Sequence, residues 1–530
     1  MTSPPFAAGA DRSTTRGWPV LLRLALRQDR VVAPVSIAVL VLMSVASAAA
    51  TPGLYADEAA RVHAASAINA SPAIVALYGP VLDVTSVGEL SMSKMTVLYA
   101  VFVAVLFIVL VRRHTRVEEE SGRTELVGGT AVGRDAPLLA TAAEVVLLAG
   151  VLGLLTAVGN ALAGLEVVGS LAFGGVWAGT ALVAAGIGAV AAQVSASART
   201  CAAVAAGTVG LVFVLRAVGD TGPAWLSWTS PLGWNTQVRA YGDQRWWLLG
   251  CYPVLAVALL ALAVALRARR DLGAGLVPAR PGPATGSPRL ADALALALRV
   301  HGTTLVLWTL GSAALGVLFG MIAPGIGDLL DSEVAQSVID ELGGALVAAI
   351  LSIDAVALTY FAVTVVSHAG RDEQDGRAEV VLATATSRGR WFTASTVVAL
   401  AGTAWLLVVT GIGLWVGYVA ADGPGVGNLV VAALAWAPAT WAVGALAVLS
   451  LAVRPRWTVL VWAWPGAFLV LALLGELLGL PSWLTGLSPY AHVPSVPAES
   501  WDWGSAAGLT AVAGAVLALA WSRFRVRDIG

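Results

Sequence analysis

Charged side chains are scarce in this chain. Only 12% of its 530 residues are Asp, Glu, Lys or Arg, whereas a soluble globular domain has about 25%. Hydrophobic residues make up 58% of the sequence, and the mean hydropathy is +0.82. This composition excludes an ordinary soluble protein and predicts an all-α, polytopic membrane protein in contact with membrane lipid. The net charge of −1 gives no indication of a nucleic-acid partner.

Lysine is almost absent. Among the 31 basic residues only Lys94 is a lysine, and it lies in the stretch LSMSKMT. A phosphate-binding loop has the pattern G-x-x-x-x-G-K-[ST], and the residues before Lys94 lack its glycines. We therefore expect a transporter subunit rather than an enzyme, with no catalytic residue, cofactor or metal of its own. Its energy must come from another chain or from an ion gradient.

Cysteine and histidine are rare as well. Cys201 and Cys251 lie in separate apolar runs, which is typical of small buried hydrophobic residues. A membrane enzyme acting on lipids would need clustered His, Asp or Ser near one interface. The five histidines are instead scattered over both predicted faces, which argues against such an enzyme. They are His63, His114, His301, His368 and His492.

Long apolar runs dominate the rest of the sequence. A helix needs about 20 apolar residues to cross the hydrocarbon core of a bilayer, and twelve runs meet this length. They lie near residues 31–51, 95–112, 137–160, 171–193, 201–218, 246–267, 302–323, 344–367, 392–419, 427–453, 457–478 and 504–522. The first run resembles a secretion signal, but it exceeds the usual ~7–15 apolar residues of one. We therefore expect it to be retained as the first of 12 transmembrane helices.

The placement of arginine predicts the orientation of these spans. With the N-terminus in the cytoplasm, nearly all basic residues fall on the cytoplasmic side. The five exceptions are Arg61, Lys94, Arg216, Arg239 and Arg245. Positive residues favour the cytoplasmic side, so the sequence predicts that both termini are in the cytoplasm. The use of arginine in place of lysine, with much Ala, Gly and Val, suggests a bacterial cell membrane.

A linker divides the chain into two halves. Residues 268–289 are rich in Pro, Gly, Ala and Arg and read as a flexible cytoplasmic hinge. They separate a first six-span half, 1–267, from a second, 290–530. The amphipathic stretch 18–30 predicts an interfacial helix before span 1, or alternatively a cytoplasmic extension of that span. Residues 290–300 predict a second interfacial helix before span 7.

Two motifs occur once in each half. Gly122-Arg123-x-Glu125 recurs 254 positions later as Gly376-Arg377-x-Glu379. The pattern W-L-x-x-x-S-P begins at Trp225 and recurs 258 positions later. Each motif lies in the same place relative to the spans of its half. Because each half has an even number of spans, the sequence predicts two parallel six-helix repeats.

The first of these motifs predicts a short charged helix between the second and third spans of each half. Glu119 and Arg123, like Glu373 and Arg377, have the i,i+4 spacing that favours an ion pair on a helix. Such a helix, held between two spans, could carry force from a cytoplasmic partner into the membrane. The alternative is a solvated loop. Acid–base catalysis is disfavoured because no pocket or nucleophile accompanies the carboxylates.

The motif [DE]-E-x-x-G-R-x-E, with the interfacial helix and the six-plus-six plan, resembles permeases of type-2 ABC exporters. The resemblance covers essentially the whole chain and is strongest to the actinobacterial polyketide-antibiotic (tetronasin-like) branch. It implies that the loop between the second and third spans of each half is a coupling helix, seated in a groove of an ATPase. The implied contact residues are Glu118, Glu119, Glu120, Gly122, Arg123 and Glu125 in the first half, and Asp372, Glu373, Gly376, Arg377 and Glu379 in the second. The second set departs from the first at Gln374 and Asp375.

The resemblance also implies the partners and the cargo. Two copies of a separate ABC ATPase would bind ATP and Mg²⁺, and the cargo would be a hydrophobic antibiotic or drug. The runner-up function is a proton-coupled secondary drug transporter, which would use acids within the spans.

Ionisable and aromatic residues within the spans are candidates for the transport path, because charges there are costly. The acids are Glu144, Asp354 and Glu476, and the aromatic candidates are Trp308, Trp405 and Trp441. Helix packing or lipid contact is the alternative for each of them. The W-L-x-x-x-S-P elements could gate the outer exit through Trp225, Pro231, Trp483 and Pro489, or could be plain loops. The external segment 52–94 predicts a small helical cap.

Overall fold

The computed structural model describes residues 14–55, 57–278, 285–288, 290, 292–327, 333–421, 428–474, 481–494, 496 and 502–527. Every regular element in these ranges is a helix. The chain forms two compact units, Met1–Gly282 and Pro283–Gly530. Eleven helices of the described residues are long and apolar enough to cross a membrane. The prediction of an all-α polytopic membrane protein is thereby confirmed.

The described residues of the first unit contain six helices of membrane-spanning length. In chain order, the helices of this unit are α1 Trp18–Gln28, α2 Val32–Leu54, α3 Glu58–Ala70, α4 Pro72–Tyr78, α5 Val87–Thr96, α6 Leu98–Arg112, α7 Glu118–Glu120, α8 Arg123–Gly128, α9 Ala136–Leu162, α10 Val167–Val194, α11 Ala198–Thr221, α12 Trp225–Thr229, α13 Pro231–Gln237 and α14 Trp246–Ala268. A π-helix, Arg113–Val117, joins α6 to α7. The six membrane-spanning helices are α2, α6 with its π-helical extension, α9, α10, α11 and α14.

Helix α10 is the centre of the first unit, since it packs against α6, α9, α11 and α14. Phe173 and Trp177 of α10 are fully buried. A Cβ at Gly153 of α9 would lie 2.7 Å from the carbonyl oxygen of Gly174 in α10. Small residues thus allow these two helices to approach closely, as is usual for helix pairs in membranes.

The amphipathic segment before the first span is a helix of its own. Helix α1 ends at Gln28, and α2 begins at Val32. Asp29 lies between the two helices and is buried. The structure therefore favours the separate helix over a straight extension of the first span.

The segment after α2 forms the predicted helical cap. Side chains of Asp57, Ser71 and Ser86 accept hydrogen bonds from backbone N–H groups in the first turns of α3, α4 and α5. Arg216 of α11 is fully buried and donates to the carbonyl oxygens of Val75 (3.2 Å) and Ala76 in this cap. The fifth predicted span, near 201–218, lies within α11, a continuous 24-residue helix.

The second unit contains five helices of membrane-spanning length in the described residues. Its helices are α15 Ala293–Gly327, α16 Glu333–Gln374, α17 Arg377–Leu382, α18 Arg388–Ala420, α19 Leu429–Leu434, α20 Ala437–Val453, α21 Trp464–Leu474, α22 Ser482–Thr485 and α23 Trp503–Val526. Two 3₁₀-helices, Pro455–Ala463 and Pro489–His492, complete the unit. Helices α15 and α18 pack closely, since a Cβ at Gly316 would lie 2.7 Å from the carbonyl oxygen of Thr410.

Three expectations need correction. The interfacial helix predicted at 290–300 is not separate from span 7, because α15 runs without a break from Ala293 through that span. The run 457–478 is not one α-helix: it begins in a 3₁₀-helix and continues as α21, and residues 475–480 lie outside the described residues. The twelve-span layout therefore stays a prediction.

The third correction concerns the linker. Its first part is not a free hinge, because Leu276 and Val277 donate backbone hydrogen bonds to Gln193 and Val194 at the end of α10 (3.0 and 2.9 Å). Buried Arg270 lies in the same stretch. Residues 270–277 are therefore part of the first unit.

Candidate functional site

The two charged motifs adopt the same backbone conformation. In the first unit the chain leaves α6 through the π-helix and α7, turns at Gly122 and enters α8. In the second, α16 ends at Gln374, and the chain turns at Gly376 into α17. The φ angles of Gly122 and Gly376 are +74° and +73°, and the space around a Cβ at either position is open. Glycine is therefore required by the left-handed backbone itself and not by a neighbouring atom.

This turn overturns the predicted i,i+4 ion pairs. Arg123 pairs with Glu118 (3.2 Å), and Arg377 pairs with Asp372 (2.7 Å) and Asp375 (2.8 Å). Because a left-handed glycine interrupts the helix, residues four apart no longer lie on one face. The hydrogen bond to Asp372 raises the pKa of Arg377 above its usual value. All these pairs are at the surface, where an ion pair contributes about 0–1 kcal/mol.

Glu119 instead holds a buried network in the first unit. Its carboxylate accepts from Arg116 (2.5 Å) and, through both oxygens, from Arg270 (2.8 Å each). The side chain of Glu119 is 6% exposed, and those of Arg116 and Arg270 are 1% and 4% exposed. Arg116 also donates to the carbonyl oxygens of Ala196 and Gly273 (3.0 and 3.1 Å). The charged segment is thereby fixed to the residues that follow α10 and α14.

Glu373 makes the corresponding connection in the second unit. It accepts a 2.7 Å hydrogen bond from Arg527, which follows the last helix α23. The mapped pair Arg134 and Arg388 behaves alike. Each donates to a carbonyl oxygen after the last long helix of its unit, Arg134 to that of Arg270 (3.4 Å) and Arg388 to that of Arg527 (3.5 Å). Each unit therefore ties its charged segment to the end of its final helix. The first unit has one more arginine in the network, because glycine stands in the second unit where Arg116 stands in the first.

The outer faces of α8 and α17 are exposed and match each other. Arg123 and Arg377 are exposed at their side chains, and so are Glu125 and Glu379. Each helix also presents one aliphatic residue to solvent at the same 254-residue spacing. These residues are Leu126, 77% exposed, and Val380, 72% exposed. We call the exposed side chains of Arg123, Glu125 and Leu126 the first docking face, and those of Arg377, Glu379 and Val380 the second docking face.

Sequence reasoning missed Leu126, Val380, Arg270 and Arg527. The two aliphatic residues could have been found, because they lie at the spacing of the repeated motif directly after the second glutamate. The two arginines are 151 and 154 residues from their glutamates along the chain. Only the packed fold brings those charges together.

Comparison with known proteins agrees with an export function. A family model described as multidrug efflux system permease Rv1217c, C-terminal domain, matches residues 290–525. The multidrug efflux system permease protein Rv1217c of Mycobacterium tuberculosis (strain ATCC 25618 / H37Rv) is 39% identical over 527 residues, covering 96% of this chain and 94% of that protein. The chain belongs to the multidrug efflux system permease family. The prediction of an exporter permease subunit is thus confirmed, whereas its tetronasin-like branch is not.

The remaining charged residues of the permease's first segment anchor it locally. Glu120 accepts a hydrogen bond from the backbone N–H of Ala198 (2.9 Å), at the start of α11, where a carboxylate is favourable. The second unit has Gln374 at the mapped position, and its side chain donates to Gly370 of its own helix (3.0 Å). The two segments are therefore similar in their exposed faces and different in their anchoring contacts.

A buried acid–histidine cluster joins α1 to this region of the permease. His114 Nε2 lies 2.6 Å from Asp29 and 3.5 Å from Glu144, and Arg113 pairs with Asp29 (2.6 Å). The ligating atoms of Asp29, His114 and Glu144 lie within 4.8 Å of one another, so this set could hold a metal ion. Glu144 thus packs between helices in the structure. Helix packing was the alternative that the sequence left open for this residue, beside a place on the transport path. The predictions that it lines the path and that no metal binds stay untested.

The other path candidates lie in the second unit. Asp354 of α16 is buried beside Thr410, and its Oδ2 atom has no hydrogen-bond partner among the described residues. Trp405 is half exposed and donates to Thr309 (3.1 Å). The other two indoles lie in helix contacts, Trp441 bonded to the carbonyl of Leu400 and Trp308 against Phe361. Glu476 lies outside the described residues.

The W-L-x-x-x-S-P elements are anchored in the same way in both units. Ser230 donates to the carbonyl oxygen of Val212 (2.6 Å), and Ser488 donates to that of Phe468 (2.8 Å). Pro231 begins α13 and Pro489 begins a 3₁₀-helix, as suits a residue without an N–H group. Trp225 and Trp483 are exposed. The gating role of these elements stays a prediction, but the shared contact supports the duplication.

Proposed function

We propose that this permease exports hydrophobic antibiotics or drugs with energy from ATP hydrolysis in a separate ATPase, which binds the two docking faces. The single observation that carries the proposal is that both units expose the same arginine, glutamate and aliphatic residue on matching short helices. One exposed aliphatic side chain is ordinary on a protein surface. The recurrence of the same three kinds of residue on equivalent helices of both units is what supports a shared binding face. Two such faces suit two copies of one ATPase, which would hold ATP and Mg²⁺.

The contacts beneath the docking faces support force transmission. In the first unit, Glu119 connects the segment to Arg270 after α14, and Glu120 connects it to the start of α11. In the second unit, Glu373 connects the segment to Arg527 after α23. A push on α8 or α17 would therefore move several membrane helices together, because these buried pairs resist separation. Such movement would alternate inward and outward access for the cargo.

The cargo class rests on the relative and on the composition of the chain. The relative's name states multidrug efflux, and we extend that activity to this permease. The tetronasin-like cargo and the cytoplasmic side of both termini remain part of the proposal. Arginine placement supports that orientation.

The first experiment separates docking from folding. Arg123→Glu and Arg377→Glu together reverse one exposed charge on each docking face, and their lost surface pairs cost about 1 kcal/mol or less each. We expect insertion and thermal stability to be kept, while drug export and co-purification of a chain with a phosphate-binding loop are lost. The matched control is Arg525→Glu, an exposed arginine in the last turn of α23, which should leave both activities intact. Export by the double variant at the wild-type rate would refute the proposal.

A proton-coupled transporter is the second candidate, and Asp354 favours it. A buried carboxyl group with an unbonded oxygen in a membrane helix is a candidate proton carrier. This alternative predicts that Asp354→Asn abolishes export and that a protonophore stops wild-type export while ATP is still present. The ATP-driven function predicts continued export under the same protonophore.

A further inference from the structure

A cavity lies beside the first charged segment, at the end of the first unit where α8, α9 and α14 meet. Its volume is about 390 Å³, and three arginines contribute to its lining. The main lining residues are Thr124, Val127, Arg134, Arg267, Arg270 and Leu272. None of them belongs to the docking face that the proposed function uses.

Arg267 has no partner in this cavity. It is only 8% exposed, and it forms no hydrogen bond or ion pair with any of the described residues. Arg270 is fully engaged with Glu119 and Gln193. Arg134 donates to two backbone carbonyl oxygens. The carboxylates of Glu119 and Asp135 act on Arg267 from nearby but form no ion pair with it. The donor groups of Arg267 are therefore open to an anion in this cavity.

The surrounding charge is positive overall. The lining has three arginines and one carboxylate, that of Asp271. Behind the lining, Glu119 is shared by Arg116 and Arg270, and Asp135 acts on Arg267 from nearby. The excess positive charge favours an added anion over an added cation. A rim residue, Leu272, is half exposed and apolar, which suits the hydrocarbon beside a lipid headgroup.

The second unit fills the corresponding place with aromatic rings. Arg270 corresponds to Arg527 by its contact with the mapped glutamate, and three residues earlier Phe524 stands where the first unit has Arg267. Phe524 is fully buried and stacks on Phe392 with ring centroids 4.3 Å apart. In the second unit this position only packs a ring into the core. The first unit instead has an arginine and a cavity at a position where a hydrophobic contact would be sufficient.

We propose that this cavity binds a phosphate group, and that the phosphate belongs to the headgroup of an anionic phospholipid. Arginine binds phosphate through paired, charge-assisted hydrogen bonds, and basic pockets at the ends of membrane helices recognise such headgroups. Arg267 lies in the last turn of α14, the depth at which headgroups meet the ends of membrane helices. The inference requires neither a partner ATPase nor a particular orientation in the membrane.

The test uses the full chain in nanodiscs of phosphatidylcholine, alone or with phosphatidylglycerol as about a quarter of the lipid. Thermal stability and retained lipid, measured by native mass spectrometry, are the two readouts. We expect phosphatidylglycerol to stabilise the wild type and to remain bound to it. Arg267→Phe, which introduces the residue of the second unit, should weaken that retention about tenfold or more, the effect of losing a charge-assisted hydrogen bond. Arg267→Lys should retain part of it.

Controls distinguish the sources of phosphate and exclude a folding defect. Arg269→Gln removes an exposed arginine from the same helix end and should leave lipid retention unchanged. Arg267→Gln provides a second variant if the phenylalanine impairs folding. Equal retention of phosphatidylglycerol by the wild type, Arg267→Phe and Arg267→Gln would overturn the proposal. Stabilisation by inorganic phosphate alone, in the absence of phosphatidylglycerol, would overturn the lipid source.

Discussion

Replacing Glu119 with glutamine should destabilise the permease more than replacing Glu373. Breaking a buried ion pair by removing one partner costs about 3–5 kcal/mol. Glu119→Gln leaves two nearly inaccessible arginines, Arg116 and Arg270, without their shared carboxylate, so its cost should be near the upper end. Glu373→Gln affects one arginine, Arg527, whose side chain is 18% exposed. Partial hydration reduces that cost to about 2 kcal/mol or somewhat more.

The assay is thermal unfolding of the purified full chain in one detergent. At about 2 °C for each kcal/mol in a large domain, we expect Glu119→Gln to lower Tm by roughly 8–10 °C and Glu373→Gln by about half as much. Glu125→Gln and Glu379→Gln are matched controls on the exposed faces of the same segments, and each should change stability by less than about 0.5 kcal/mol. Equal Tm values for Glu119→Gln and Glu125→Gln would show that the buried network contributes nothing.

Three further predictions follow from local geometry. Gly122→Ala and Gly376→Ala should each reduce stability by about 1–2 kcal/mol, because a Cβ disfavours the left-handed backbone. Amide hydrogen exchange in the two charged segments should become faster. Unchanged exchange in both segments would contradict the left-handed turn. Burial raises the pKa of Glu89 above its usual value, so the folded cap favours the protonated acid and loses stability as pH rises from the usual carboxyl pKa through the raised one. Glu89→Gln should flatten the Tm–pH curve in that interval, and a curve identical to wild type would contradict the assignment. Ser230→Ala and Ser488→Ala should each cost about 1 kcal/mol, measured as Tm, and clearly unequal losses would argue against equivalent roles.

The long membrane helices could be predicted from sequence because hydrophobicity alone specifies them. Eleven of the twelve predicted runs coincide with all or most of a described helix of membrane-spanning length. A separate helix over 18–30 was one of two predictions for that stretch, and the break at Asp29 was not predicted. The separate helix predicted at 290–300 was wrong, although residues 293–302 contain no helix-breaking residue except a tolerated glycine. The run at 457–478 looks uniformly apolar, and apolarity does not distinguish a 3₁₀-helix from an α-helix.

The candidate site was predictable only in its outline. Repetition located both charged segments and the glycine within each, but it did not predict that the chain turns there. The helical spacing rule therefore assigned the ion pairs wrongly. That rule assumes one uninterrupted helix, and the left-handed Gly122 and Gly376 interrupt it. The partners of Glu119 and Glu373 depend on how distant helix ends pack together. A single sequence contains no local signal for such contacts.

Photo-crosslinking from the two docking faces tests the central proposal most directly. A photoreactive amino acid is placed at Leu126 or Val380 in cells that export drug, with Leu162, an exposed leucine at the far end of α9, as the control position. The proposed function predicts that both docking positions, and not Leu162, crosslink to a chain with a phosphate-binding loop. Active export with no such crosslink at either docking position would contradict it.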